Sequence, residues 1–318
     1  MRVLLVCAFK EGLAENAAPF VVEQKNALQR RGVECDWFLV HGKGIRGYLK
    51  QLGPLKKKIA SFRPDVIHAH YGLSGLLANL QRNVPVVTTY HGTDINDPKV
   101  LRFSKMAMRL SSWNVFVSKN TINIAKPMKK FTLLPCGVDL SELQLTTKQE
   151  ARTKMHLEQE KRYVLFAGAF DKAVKNAALA KQAVAGIGGA DVKLLELKDY
   201  SRDEVTLLMC AADVFLMTSI SEGSPQVIKE ALACGCPIVS VDVGDVKERV
   251  DGVEGCFVAE TREQGELTEL LRKALSFEGR TKGRGMILAD GLDNHQVAEK
   301  LKAIYSIAIK NNSVKTGK

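Results

Sequence analysis

At 318 residues the chain is long for a single core and suits two domains of ordinary size. Its 46% hydrophobic and 25% charged residues exclude a disordered chain, and no apolar run approaches the roughly 18–20 residues of a membrane span. The formal net charge of +11 implies attraction to something anionic: nucleic acid, an acidic lipid surface or an anionic substrate.

The opening "MRVLLVCAFKEG" is too short in apolar length for a secretory signal and lacks a small-residue cleavage site. It reads as a first strand, and a reduced, cytoplasmic protein is expected. The helix-like "APFVVEQKNALQRRG", closed by Gly32, separates it from a second strand, "VECDWFLV". Further strands follow in "DVIHAH", "VPVVTTYHG", "NVFVS" and "FTLLPCG". Near-continuous Val, Leu and Ile runs separated by helices indicate a parallel sheet covered on both faces. Two acid-free basic stretches lie in this half: Lys43, Arg46, Lys50, Lys56, Lys57, Lys58 and Arg63, then Lys99, Arg102, Lys105, Arg109, Lys119, Lys126, Lys129 and Lys130.

The polar "SELQLTTKQEARTKMHLEQEKR" interrupts the pattern near residue 141, after which it restarts. "YVLFAGAF", "VKLLEL", "VFLMTS", "PIVSVDV" and "GCFVAE" read as strands, and "NAALAKQAVAGIG", "RDEVTLLMCAA" and "PQVIKEALACG" as helices between them. The fold class is therefore α/β, two tandem Rossmann-like doubly wound domains facing a central cleft, with ligands expected at the carboxyl ends of the strands. The domains are placed at 1–142 and 143–295, with 296–318 a helix that packs back toward the first domain and ends in a frayed basic tail.

"SEGSPQVIKE" combines a strand-end loop, a helix start and two glutamates. Ser224 suits the N-cap, Pro225 the first helical position and Gly235 the closing turn. Glu222 then lies in the loop beside free helix amides, a ready anion site, while Glu230 sits about 9 Å further along the axis. In the first half, His68 and His70 share a strand face, and strand-end His70 and His91 are expected to reach the cleft. No Gly-x-Gly-x-x-Gly follows the first strand, where only Gly12 is present, and no Asp-x-Asp occurs. The seven cysteines form no CxxC pair, and no metal site is assigned.

Glu-x7-Glu within "TSISEGSPQVIKEALACGCPIVS" resembles the signature of the retaining group 1, or family 4, glycosyltransferases, which have the GT-B fold. "PDVIHAHYG", "VPVVTTYHGTD", "LPCGVD", "VLFAGAFDKAVKN" and "YSRDEVTLLMCAADVFLMTS" extend the resemblance over nearly the whole chain. It implies that Glu222 contacts hydroxyls of a donor sugar and Glu230 the ribose of its nucleotide. Amides around Gly223, Ser224 and Gln226 would meet the diphosphate or the sugar. Lys175 matches the family's diphosphate lysine, but Ala169 stands where an arginine is usual, and Lys172 is the candidate replacement. Gly168 and Gly12 are placed with the donor. His91 matches a histidine that touches the sugar near its reacting carbon, and His70, Tyr71 and Asp94 are assigned to the acceptor side.

These assignments imply transfer from a UDP- or GDP-sugar to a glycan or lipid-linked acceptor, as in bacterial surface polysaccharide synthesis. Neither metal nor cofactor is expected. The basic first half would favour weak, salt-sensitive attachment to an anionic membrane surface. An epimerase or phosphorylase of the same fold, or a basic nucleic-acid-binding protein, is the alternative; no nucleic-acid recognition motif is present.

Overall fold

The computed structural model describes residues 1–12, 15, 17–128 and 130–316, with the backbone alone for 313–316. Lys129 and the last two residues of the expected tail lie outside this set. The chain forms two compact units, one of Met1–Gly137 with the helix that begins at Asn294, the other of Val138–Asp293.

The first unit is built on a parallel sheet of β1 (Arg2–Ala8), β2 (Glu34–Val40), β3 (Val66–His70), β4 (Val86–Tyr90), β5 (Trp113–Phe116) and β6 (Phe131–Leu133), in the order β2-β1-β3-β4-β5-β6. Alternate residues of β1 feed two different cores, as the two-residue period of a strand requires. Val3 and Leu5 pack with Leu28, Leu301 and Tyr305, whereas Leu4 and Val6 pack with Phe38, Leu55 and Leu77. Both faces are thus covered, which is why these strands read as unbroken apolar runs.

The long helix Asn294–Thr316 supplies Val297, Leu301, Ile304 and Tyr305 to the first of those cores, beside the helix Pro19–Arg30. It is also tied to the sheet by polar chemistry. The Tyr305 hydroxyl lies 2.7 Å from His68 Nδ1, and His68 Nε2 lies 2.7 Å from Thr89 Oγ1. Both ring nitrogens of a fully buried histidine are therefore satisfied, and burial lowers its pKa to about 3, so it remains neutral.

The second unit carries a parallel sheet of β7 (Arg162–Phe166), β8 (Val192–Glu196), β9 (Val214–Met217), β10 (Ile238–Val241) and β11 (Cys256–Ala259), in the order β11-β10-β9-β7-β8. The polar stretch from residue 141 is not a bare connection. Thr147 and Glu150 form a reciprocal capping box that starts the helix Lys148–Lys154. Arg152 from that helix is buried and donates to Asp213 Oδ2 at 2.8 Å, which fastens the segment to this unit.

Tyr305→Phe removes one partner of the buried His68 and keeps the ring volume. The expected result is a loss of about 1–3 kcal/mol in denaturant unfolding. An unchanged midpoint would show that the hydroxyl does not hold the helix.

Candidate functional site

In each sheet one pair of neighbouring strands sends its following segments to opposite faces, and loops at the carboxyl ends of such a pair form a crevice. The pair is β1 and β3 in the first unit, and β7 and β9 in the second. Most of the residues singled out above fall at these two places.

In the second unit, the loop after β7 and the loop after β9 are sewn together. Thr218 Oγ1 donates to the carbonyls of Lys175 (3.0 Å) and Asn176 (2.9 Å), and the Ile220 amide donates to the Val174 carbonyl at 2.8 Å. Arg262 holds the second loop further on, donating to the carbonyls of Ser219 (3.0 Å) and Ile220 (3.3 Å). The seam places Lys175 Nζ 2.7 Å from Glu222 Oε1, both side chains mostly buried. Gly168, at φ +149, leaves room for this lysine: a Cβ there would lie 3.1 Å from Lys175 Cγ. Lys172 opens the 3-10 turn Ala173–Lys175 and is exposed, while Ala169 is half-buried.

The helix Gln226–Ala233 starts one residue later than expected. Pro225, not Ser224, is its N-cap, and the Ser224 hydroxyl donates instead to Asp245 Oδ2 at 2.8 Å. A buried carboxylate competes better for that hydroxyl than a helix amide does. Asp245 is 3% exposed, and burial raises its pKa against the fields of Lys229 and Arg249. Gly244, at φ +65, lets the Gly223 carbonyl approach, since a Cβ would lie 2.8 Å from that oxygen. Gly235, at φ +67, ends the helix as expected.

Glu230 is 3% exposed and does not stand as an open acceptor. Arg202 Nη1, from the first turn of the helix Arg202–Ala211, donates to its Oε1 at 2.7 Å. Lys229 beside it is fully buried. Sequence reading missed Arg202 and Asp245, because both contacts join residues more than twenty positions apart that carry no spacing rule.

In the first unit, His70 and His91 come together, with Nδ1 of one 3.0 Å from Nε2 of the other. His91 Nδ1 faces Cys136 Sγ at 3.8 Å, and the Tyr71 ring centroid is 4.6 Å from that of His91. His70 departs from expectation: it is fully buried, so it bears on the site through His91, which is partly exposed. Burial, reinforced by the fields of His68 and His91, lowers its pKa and keeps it neutral. Tyr71 adopts a left-handed φ of 71°, an unusual conformation for a side chain of that size. Gly12, at φ +78, is exposed in the turn after β1.

Asp94 also departs from its acceptor-side assignment, because its oxygens are engaged by backbone. Oδ1 accepts from the amides of His91 (3.0 Å) and Gly92 (3.1 Å), and Oδ2 from Gly72 at 2.9 Å. It braces the ends of β3 and β4 against each other. Burial raises its pKa to about 6 despite those amides. Among the described residues no group of His, Cys, Asp and Glu side chains is arranged to hold a metal ion.

Residues 3–142 match the family model described as Glycosyltransferase Family 4, and residues 151–276 match that described as Glycosyl transferases group 1. The chain belongs to the group 1 glycosyltransferases. Among curated relatives of this group 1 chain, it is 28% identical over 211 residues to a Bacillus subtilis protein named for teichuronic acid biosynthesis, TuaC, covering 58% of this chain and 54% of that one. It is 26% identical over 245 residues to the D-inositol 3-phosphate glycosyltransferase of Mycobacterium marinum, covering 61% and 52%. The chain thus spans about half the length of the curated relatives it matches. Sucrose-phosphate synthase from Thermosynechococcus elongatus superposes with a TM-score of 0.79 at 17% identity, over 96% of this chain and 98% of that one. Anabaena HepE, solved in complex with UDP and glucose, superposes with a TM-score of 0.71 at 18% identity, over 96% and 99%. The fold is that of the GT-B glycosyltransferases.

Asp94 gives a pH-dependent prediction. Its folded-state pKa, about 6, lies above the ordinary carboxylate value, so folding favours the protonated form. That contribution is complete below about pH 4 and is lost as pH rises through about 6. Asp94→Asn should cost about 1–3 kcal/mol, since its amide group opposes a backbone donor. The stability gap to the unaltered protein should widen as pH falls from about 7 to 4. A gap independent of pH in denaturant melts would contradict the assignment.

Proposed function

We propose that the protein is a retaining glycosyltransferase that moves a sugar from a UDP- or GDP-sugar to a glycan or lipid-linked acceptor in the synthesis of a surface polysaccharide. The observation that carries this reading is the Lys175–Glu222 pair held beside the start of the helix Gln226–Ala233. A departing diphosphate develops negative charge, and a lysine ammonium with preorganised helix amides stabilises it without reorganisation. On this reading Lys175 exchanges Glu222 for a phosphate oxygen when donor binds. Glu222 is then released to accept from sugar hydroxyls, with Gly223, Ser224 and Gln226 around it. The proposal thus assigns the leaving-group charge to the protein's own groups, with neither a metal nor a cofactor.

Glu230 is assigned to the ribose, with Arg202 steadying one of its oxygens. In the first unit, His91 is assigned to charge developing on the sugar, oriented by His70, and Tyr71 to the acceptor. The neighbour solved with UDP and glucose supports a nucleotide-sugar donor. Relatives named for teichuronic acid and amylovoran biosynthesis support a polysaccharide setting. A cytoplasmic site of action, peripheral to the membrane, fits this reading; among the described residues no helix is long and apolar enough to cross a bilayer.

Calorimetric titration with UDP and GDP separates the two glutamates. Glu230→Ala should weaken binding of the preferred nucleotide about tenfold or more, the scale of a hydrogen bond to a charged group. Glu222→Gln should leave that affinity within about twofold while sugar transfer falls by about a hundredfold or more. Equal nucleotide affinity in Glu230→Ala and the unaltered protein would overturn the ribose assignment. An acceptor product whose anomeric configuration is opposite to the donor's, read by proton NMR, would overturn retention.

A further inference from the structure

The first sheet has a second feature at the end opposite His91. Where the chain enters β5 and β6, a cavity of about 400 Å3 lies between the helix Pro98–Leu110 and the segment that follows the helix Lys119–Ala125. Lys105, Arg109, Lys126 and Lys130 line it, and no carboxylate does so among the described residues. Its polar floor is closed: Asn114, 2% exposed, donates to the Met108 carbonyl at 3.1 Å and accepts from the Tyr90 hydroxyl at 3.1 Å. The cavity's open chemistry is therefore cationic. Beside those cations Met128, another lining residue, is 90% exposed, and Met106 on the outer face of the same long helix is 49% exposed. Lys126 and Lys130 both hold left-handed backbone, at φ 50° and 58°, a cost tolerated where surrounding structure or function requires it.

Four like charges around one cavity repel one another, and an anion relieves that repulsion. A nearly fully exposed thioether at the rim gains nothing from a small hydrated anion but does gain from an apolar phase. We infer that this cavity binds a phosphate group borne on an apolar chain, with Lys105, Arg109, Lys126 and Lys130 around the phosphate and Met128 entering the apolar layer. The site differs from the stretch Lys43–Arg63, where Lys58 is already paired with Asp36. The inference stands independently of sugar transfer.

The test is co-sedimentation of the full chain with vesicles of phosphatidylglycerol and phosphatidylcholine, against vesicles of phosphatidylcholine alone. Lys126→Gln/Lys130→Gln removes two cations of the cavity, and Lys43→Gln/Lys50→Gln removes two exposed cations elsewhere in the same unit. The first pair should lower binding to the anionic vesicles about tenfold or more, from roughly fivefold per cation, and the second should lower it only about twofold. Met128→Ser should weaken binding without changing its salt dependence. A parallel arm measures heat protection by glycerol 3-phosphate. Protection that is lost in Lys126→Gln/Lys130→Gln, without vesicle binding, would identify a soluble phosphate as the source and keep the site. Equal losses in both double variants would reveal diffuse charge and overturn the inference, as would absence of both vesicle binding and protection.

Discussion

The seam between the loops after β7 and β9 is the constraint on which the rest of the second unit depends. Neighbouring parallel strands whose chains leave toward opposite faces would by themselves leave a gap at their carboxyl ends. Here one hydroxyl, that of Thr218, captures two carbonyls across the gap, and a backbone bond from Ile220 to Val174 closes it. Lys175 and Glu222, separated by 47 positions in the chain, become partners because of it. The helix starting at Gln226 is anchored in turn through Ser224 and Asp245, and Glu230 through Arg202. Each carboxylate is held by a group on a different element.

The first unit solves the same topological problem with different chemistry. Its strand-end loops are braced by a buried carboxyl group, Asp94, that collects three backbone amides. Burial keeps His68 and His70 neutral, whereas the second unit places a lysine against a glutamate. His68 is consumed structurally by Tyr305 and Thr89, His70 supports from behind, and His91 remains partly exposed. A histidine series that looks uniform in sequence therefore divides into a core member, a positioning member and a presented one.

The fold was legible because the inner strands of both parallel sheets are buried, and such strands announce themselves as unbroken apolar runs. The two glutamates were legible because a strand end, a Gly-Ser-Pro turn and a helix follow one another within a few residues. What escaped reading was long-range. Arg202 reaches Glu230 across 28 positions and Tyr305 reaches His68 across 237, distances at which periodicity carries no information. The N-cap was misplaced by one residue because Asp245, 21 positions on, takes the serine hydroxyl. Burial was the other blind spot: His70 and Asp94 sit at the expected strand ends, yet one is sealed and the other is spent on backbone amides.

In the second unit, Lys175 and the start of the helix Gln226–Ala233 are proposed to receive a diphosphate. A crystal structure of the protein soaked with UDP or GDP tests it most directly. Phosphate oxygens should lie within hydrogen-bond distance of Lys175 Nζ and of amides between Gly223 and Gln226, with the ribose at Glu230. A nucleotide bound elsewhere, with the Lys175–Glu222 pair intact, would contradict it.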